Sequence, residues 1–166
     1  MGISNTEGVG VVTDGKIRLR LLRPSDASPA WLAWLRSPEV GKWIRTKPTT
    51  VAGLRELIRT WQADKNKHAW AYGVFVGSRH VGNLKLARSP LTKSGVEVGI
   101  LIGPADCRGK GYGTLALYEA VKKAKGLGFK WIIAGIDAEN HASRKSFRKA
   151  GFFETPRSVW AVRGTG

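Results

Sequence analysis

The amino-acid sequence predicts one α/β (α+β) domain with a mixed, mostly antiparallel β-sheet and helices on both faces. The chain has 166 residues, 42% of them hydrophobic, which suffices for one core but not for two ordinary domains. Predicted strands cluster in the first part, and a strand-helix-strand-helix order follows. That order indicates a mixed sheet covered on both sides.

The N-terminal part begins with residues 1–15, which are rich in glycine and small polar types and are expected to form a flexible leader. A strand is predicted at 16–22, where apolar residues alternate with arginines. A short helix follows at 30–36, and a longer one starts after Pro48-Thr49-Thr50. The apolar stripe of this longer helix has helical spacing and consists of Leu54, Leu57, Ile58 and Trp61. A single domain is therefore predicted over 16–166.

The second part alternates strands and helices. Its predicted elements are strands at 69–76, 80–87 and 95–102, a helix between the glycine-rich stretch 108–113 and Gly126, a strand at 131–136, a helix at about 140–150 and one further strand near the C-terminus. The run 131–136 is continuously apolar, as in a strand buried on both faces.

Charge and composition narrow the function classes. Twenty-eight Lys and Arg against twelve Asp and Glu give a net charge of +16, which attracts anionic partners. A lone Cys107 excludes an intramolecular disulfide, and no Cys/His cluster has zinc-ligand spacing, so no metal is assigned. No apolar run approaches about 18 residues, so we expect a cytoplasmic protein without a membrane segment. The seven Trp are expected mainly in the core.

The segment from Val96 to Thr114 carries the clearest chemical signal. An alternating strand, a glycine loop and a helix start follow one another, and glycines let the backbone approach a ligand closely. The free N–H groups and positive dipole end of the helix then face an anion. Arg108 and Lys110 add cations, which favours pyrophosphate as the ligand. The glycine spacing does not fit the P-loop pattern, and it fits the dinucleotide-binding fingerprint poorly.

With these motifs the sequence resembles the GNAT superfamily of acetyl-coenzyme A-dependent N-acetyltransferases. Arg108, Gly111 and Gly113 match that family's pyrophosphate loop. Downstream, the segment from Asn140 to Phe152 looks like its second cofactor segment. Upstream, the stretches 34–40 and 81–86 look like the branch of ribosomal-protein N-terminal acetyltransferases and nucleotide-amino-sugar N-acetyltransferases. The resemblance covers roughly residues 16–153.

The resemblance implies that acetyl-CoA lies in a V-shaped opening where strand 95–102 splays from strand 131–136. Backbone groups near Leu101 and Ile102 would then pair with the pantetheine arm. Asn140 would hydrogen-bond this arm and Phe147 would pack near it, although a plain helix N-cap also explains Asn140. The residues implied to hold the pyrophosphate are Arg108, Gly109, Lys110, Gly111, Tyr112, Gly113 and Thr114.

Acetyl transfer to an amine requires a base, because an alkyl amine is protonated at neutral pH. The resemblance points to Glu97 for this role; an ion pair with one of the many cations is the alternative. Many family members place a Tyr where this chain has Phe147, which has no proton to give. Ser143 resembles the Ser of the ribosomal-protein branch and is the candidate acid, unless it is simply a small residue at a helix contact. Water is the alternative acid, and Tyr112 and Tyr118 are more remote options. Transfer would be direct, in a ternary complex.

The sequence says less about the identity of the acceptor amine and about the oligomeric state. The positive field suggests an acidic acceptor, such as a nucleotide-linked amino sugar or a protein N-terminus. A non-catalytic CoA-binding protein and a nucleic-acid-binding protein are the competing hypotheses, the latter without any recognised motif. Thirteen residues follow Phe153, so the last strand is expected to be absent or supplied by a partner. An exposed edge at 159–162 would favour a homodimer.

Overall fold

A computed structural model of the protein describes residues 11–13, 17–45, 47–156 and 159–164. Three helices of its first part start at hydroxyl caps. The Ser28 hydroxyl accepts from the Trp31 backbone N–H, and the Thr50 hydroxyl accepts from that of Gly53. Such caps satisfy amides that have no partner inside the helix. These helices are α1 (Pro29–Arg36), α2 (Pro38–Gly41) and α3 (Val51–Ala63).

Eight strands form one sheet within the described residues, in the order β1-β2-β3-β4-β5-β6-β8-β7. Neighbouring strands are antiparallel except β5 and β6, which are parallel, so the predicted mixed sheet is confirmed. The strands are β1 (Val11–Thr13), β2 (Ile17–Leu21), β3 (Ala69–Val76), β4 (Arg79–Arg88), β5 (Gly95–Ile102), β6 (Trp131–Gly135), β7 (Phe153–Glu154) and β8 (Val159–Arg163). β1 was not predicted, because it falls within the expected leader. Residues 1–10, 14 and 15 of that leader lie outside the described residues.

Helices cover both faces of the sheet, as predicted. α4 (Tyr112–Gly126) and α5 (His141–Lys149) pack on one face, over buried residues such as Leu84, Leu86, Val96 and Val98. α1 and α3 pack on the other face, with Leu101 of β5 against them. No helix in the described ranges is long and apolar enough to cross a membrane.

The C-terminal end corrects two expectations. Both closing strands are present in the chain, because β7 and β8 follow α5. β8 lies between β6 and β7, and Trp160 on it is 1% exposed. The segment 159–162 is therefore an interior strand instead of an exposed edge, and the homodimer expected from such an edge loses its basis. β8 pairs with β6 through five residues on one side and with β7 through Trp160 and Ala161 on the other.

Candidate active site

The parallel strands β5 and β6 diverge and open a V-shaped gap in the sheet. In the described part of the chain, three residue pairs join them, from Gly95–Trp131 to Glu97–Ile133, although β5 continues to Ile102. Beyond Glu97, the edge of β5 facing β6 has no strand partner there. An extended ligand can add itself to such an edge through backbone hydrogen bonds. The predicted splay is thus confirmed.

The loop between β5 and α4 is shaped to receive an anion. Gly109 and Gly111 have φ angles of 72° and 84°, a left-handed conformation that strains residues with a side chain. A Cβ added at either position would meet no described atom within 4 Å, so the space beside the loop is open. A ligand can therefore approach the loop backbone directly.

The N-terminus of α4 completes this phosphate loop, which comprises residues 108–114. The first helical hydrogen bond runs from the Leu115 N–H to the Gly111 carbonyl. The amides before it have no partner inside the helix and lie at the positive end of the helix dipole. They belong to Tyr112, Gly113 and Thr114. Such a helix start binds phosphate groups.

Contacts to neighbouring elements fix the position of the phosphate loop. The Arg108 Nε donates to the Gly103 carbonyl at 3.2 Å, which fastens the loop to the end of β5. A Cβ at Gly113 would lie 3.6 Å from the Ser146 Oγ on α5 and 3.8 Å from the Ile102 Cγ1 on β5. Lys110 is exposed on the loop and can supply a positive charge. The loop therefore lies where β5, α4 and α5 meet, at the mouth of the V-shaped gap.

A cleft of about 930 Å³ extends from the V-shaped gap across the face of the sheet that α1 and α3 flank. Four predicted site residues line this cleft: Leu101, Asn140, Ser143 and Phe147. Ile102 and the phosphate loop lie outside its lining. Glu97 immediately precedes the first lining residue of β5, Val98. The cleft thus joins the proposed pantetheine position to a second space beside β4.

Asn140 caps α5 and also lines the cleft. Its Oδ1 accepts from the Ser143 backbone N–H at 3.2 Å, which caps α5. The same side chain lines the cleft, where its amide N–H groups can donate. Phe147 is 2% exposed and packs edge-on against Phe152, with ring centroids 4.8 Å apart. Phe147 therefore forms an apolar wall of the cleft.

Glu97 is half-buried on the sheet face opposite α4. Its neighbours Val96 and Val98 point into the core beneath α4, so the alternation of the strand turns Glu97 to the other face. Within the described residues, no Lys or Arg nitrogen lies within 4.0 Å of its carboxylate. The ion pair considered as an alternative role for Glu97 is not formed there, and the carboxylate can accept a proton from a ligand or water.

The wall of the cleft opposite the V-shaped gap consists of residues that were not among the predicted site residues. Trp31 of α1, Trp61 of α3 and Trp43 of the loop after α2 line the cleft, so three of the tryptophans expected mainly in the core also face ligand space. Asn83 and Lys85 line it from β4. They alternate along β4 with the buried Leu84 and Leu86, and this pattern was the available signal.

The Asn83 amide is held in one orientation by two aromatic residues. Its Oδ1 accepts from the Trp31 Nε1–H at 3.1 Å, and its Nδ2 donates to the His80 Nε2 at 2.8 Å and to the Gly82 carbonyl at 3.0 Å. His80 stacks on Phe75, and burial lowers its pKa, so the imidazole is neutral and can accept this bond. These bonds tie α1 to β4 at the floor of the cleft.

Charge is distributed unevenly around the cleft. Of the described residues that line it, Lys42, Arg45 and Lys85 are cationic, and Asp137 is the one carboxylate. Asp137 Oδ1 accepts from the Glu139 backbone N–H at 2.9 Å. Basic side chains around a cavity with apolar walls attract anionic ligands more strongly than they would in open solvent.

This combination of a splayed sheet, a glycine phosphate loop and a cleft between them defines an acetyltransferase. The family model described as acetyltransferase (GNAT) domain matches residues 16–153, so the chain belongs to that family. The chain therefore carries a GNAT acetyltransferase domain, and the cosubstrate of such a domain is acetyl-CoA. The open cradle beside Gly109 and Gly111, with the free first-turn amides of α4, fits the pyrophosphate of that cosubstrate.

Three known proteins illustrate what the chain is similar to. YwnH of Bacillus subtilis (strain 168), provisionally named a phosphinothricin acetyltransferase, is 43% identical over 65 residues, which make up 39% of this chain and 39% of YwnH. The aminoglycoside acetyltransferase AAC(6')-Ib, solved with coenzyme A, has 17% identity and a TM-score of 0.73 over 89% of this chain and 94% of its own. The ribosomal-protein-S5-alanine acetyltransferase of Vibrio fischeri has 16% identity and a TM-score of 0.76 over 95% and 97%. At these identities the solved structures show the shared fold alone.

Proposed function

We propose that this enzyme transfers the acetyl group directly from acetyl-CoA to a primary amine that also carries an anionic group. One observation carries the proposal: the cleft joins the V-shaped gap to a space lined by three cations and a single carboxylate, counted over the described residues. A polycationic acceptor such as an aminoglycoside would meet repulsion there, whereas an acidic amine would be attracted.

Deprotonation of the amine is assigned to Glu97. An alkyl ammonium has a pKa of about 10, so it must lose a proton before its nitrogen can attack the thioester. Glu97 points to the acceptor side of the sheet and has no cationic partner in the described structure. Nearby Lys and Arg side chains disfavour the ammonium form and lower the amine pKa in the cleft. A carboxylate, directly or through water, can then accept the proton.

Protonation of the departing thiolate is assigned to Ser143 or to a water beside it. Ser143 lines the cleft next to Asn140, and its hydroxyl makes no hydrogen bond to any described residue. Phe147 on the same helix has no proton to give. Cys107 is buried, at 6% exposure, and packs in the core beside the loop. This burial supports direct transfer over an acetyl-cysteine route, because a nucleophile must reach the substrate.

The first experiment is a thiol-release assay with acetyl-CoA on anionic, neutral and cationic amines, using wild type and Glu97→Gln. We expect kcat of Glu97→Gln to fall about 100-fold or more, since a positioned base contributes roughly that much. Coenzyme A affinity should stay unchanged, because the phosphate loop is intact.

Glu56→Gln is the matched control, since Glu56 is an exposed glutamate of α3 paired with Arg59. It should behave like wild type. Coenzyme A binding without turnover of any amine would instead indicate a non-catalytic binder. Full activity of Glu97→Gln would remove Glu97 from the mechanism.

A further inference from the structure

The register of β4 and β5 arranges the floor of the cleft. Three cross-strand pairs follow one another on the face that α1 and α3 flank: Ala87–Glu97, Lys85–Gly99 and Asn83–Leu101. Side chains two residues apart on a strand share a face. Lys85 is therefore the first polar side chain that a ligand meets beyond the candidate base Glu97.

Gly99 leaves room for a ligand directly beside Lys85. A Cβ at this glycine would meet no described atom within 4 Å, and the residue is exposed in the middle of a strand. Glycine inside a strand weakens packing and often marks a point where a ligand approaches the backbone closely. The open space over Gly99 lies inside the cleft, because both Gly99 and Lys85 line it.

The Lys85 ammonium is positioned but has no counterion. Its Nζ lies 5.4 Å from the centroid of the Trp61 ring, a cation–π contact that holds the side chain along the cleft wall. Across the described residues, no carboxylate oxygen lies within 4.0 Å of it. Asn83, the next residue on that face, already bonds Trp31, His80 and Gly82 through its amide. Lys85 is thus the polar group of the floor that remains free to bind a ligand.

We propose that Lys85 binds an oxyanion of the acceptor and thereby selects small anionic amines; this inference rests on the proposed acetyl transfer to an acidic amine. Diagonal neighbours in an antiparallel pair lie about 7–8 Å apart. An amine at Glu97 and an oxyanion at Lys85 must then belong to one small molecule, separated by a few bonds. The oxyanion is a carboxylate or a phosphorus acid group, and both share the charge that Lys85 recognises.

The test compares acceptors in matched pairs that differ in the anionic group: beta-alanine with its amide, and aminoethylphosphonate with ethanolamine. For wild type, we expect kcat/KM to be at least about tenfold higher for the anionic member, which is roughly what one retained charge contact contributes. The two pairs distinguish carboxylate from phosphonate. Lys85→Met should abolish this preference, mainly through KM, while retaining the apolar stem over Trp61. Lys85→Arg should keep the preference.

Lys93→Met is the matched control. Lys93 is an exposed lysine of the turn between β4 and β5, so this substitution removes the same charge away from the cleft. Its preference should equal that of wild type. If wild type acetylates amines and Lys85→Met keeps the preference with an unchanged Tm, the role of Lys85 is overturned while the proposed function stands. If wild type acetylates no amine although it binds coenzyme A, the proposed function fails and the inference fails with it.

Discussion

The two sides of the cleft present different kinds of groups to a ligand. On the side proposed for the cofactor, backbone amides at the start of α4 and the free edge of β5 would face the ligand, and glycines with positive φ make them accessible. On the acceptor side, side chains from α1, α3, β4 and the loop after α2 face it. A backbone site is specified by local conformation, whereas a side-chain site depends on how distant segments pack.

This difference explains how one fold can keep its cosubstrate and change its acceptor. Side chains on the acceptor side can be replaced without changing the backbone, because they stand on regular helices and strands. The phosphate loop allows fewer changes, since a Cβ at a left-handed glycine costs roughly 1–2 kcal/mol. The following substitutions separate the two sides.

The largest effect is expected where the two sides touch. Gly103 directly follows β5 beneath α1, and a Cβ there would overlap the indole ring of Trp34. Gly103→Ala should destabilise the protein by about 1–3 kcal/mol through overpacking, a fall in Tm of roughly 3–10 °C. Gly99→Ala, inside β5 with open space beside it, should leave Tm almost unchanged. Equal Tm values in thermal unfolding of both variants would show that the contact of Gly103 with Trp34 is not tight.

A smaller effect is expected in the phosphate loop. Gly111 and Gly128 lie at opposite ends of α4 with φ of 84° and 85°, so alanine strains the backbone equally at both. Gly111→Ala should lower coenzyme A affinity about tenfold, because its Cβ would enter the cradle. Gly128→Ala should lose similar stability and keep its affinity. Calorimetric titration with coenzyme A measures the affinity of both variants. An equal loss of affinity in Gly111→Ala and Gly128→Ala would mean that the loop is not the binding site.

The smallest effect is expected in the pH dependence of stability, through His80 beneath the acceptor side of the cleft. Burial lowers the pKa of His80 below its ordinary value of 6.5, so the unfolded chain takes up a proton at a higher pH than the folded one. The stability that the neutral form of His80 contributes is fully present above about pH 6.5. It is lost as the pH falls from there through the lower pKa that His80 has in the folded protein.

We expect Tm to fall by a few degrees between about pH 7 and pH 5, and His80→Phe to show a smaller fall over that window. The pKa of Asp26 does not interfere: burial opposes its ionisation, but hydrogen bonds from Arg20 and the Arg23 N–H lower its pKa below 3.8. An identical pH dependence of Tm in His80→Phe would exclude His80 as the cause.

The sequence predicted the local structure around the phosphate loop well, because the signals for that structure are local. Arg108, Gly111 and Gly113 fall within six residues of chain, and an alternating strand precedes them. Strands 69–76 and 95–102 were predicted with the bounds that the structure has. The role of Asn140 as a cap also follows from its position before α5. Local backbone chemistry is therefore readable without knowledge of the fold.

The acceptor side and the C-terminal end were not predictable in the same way. Trp31, Trp61 and Lys85 meet only after three separate segments have packed, and nothing near each residue indicates the others. The placement of β8 between β6 and β7 is a long-range pairing choice, which alternation of residue types does not encode. The expected edge at 159–162 was wrong for this reason.

The interior position of β8 has a consequence for folding of the chain during its synthesis on the ribosome. β6 pairs with β5 through three residues but with β8 through five, from Trp131–Arg163 to Gly135–Val159. Until β8 has emerged from the exit tunnel, one long edge of β6 has no partner, and an apolar strand with an open edge is prone to intermolecular pairing. β8 thus covers an edge of β6 that would otherwise be open to intermolecular pairing.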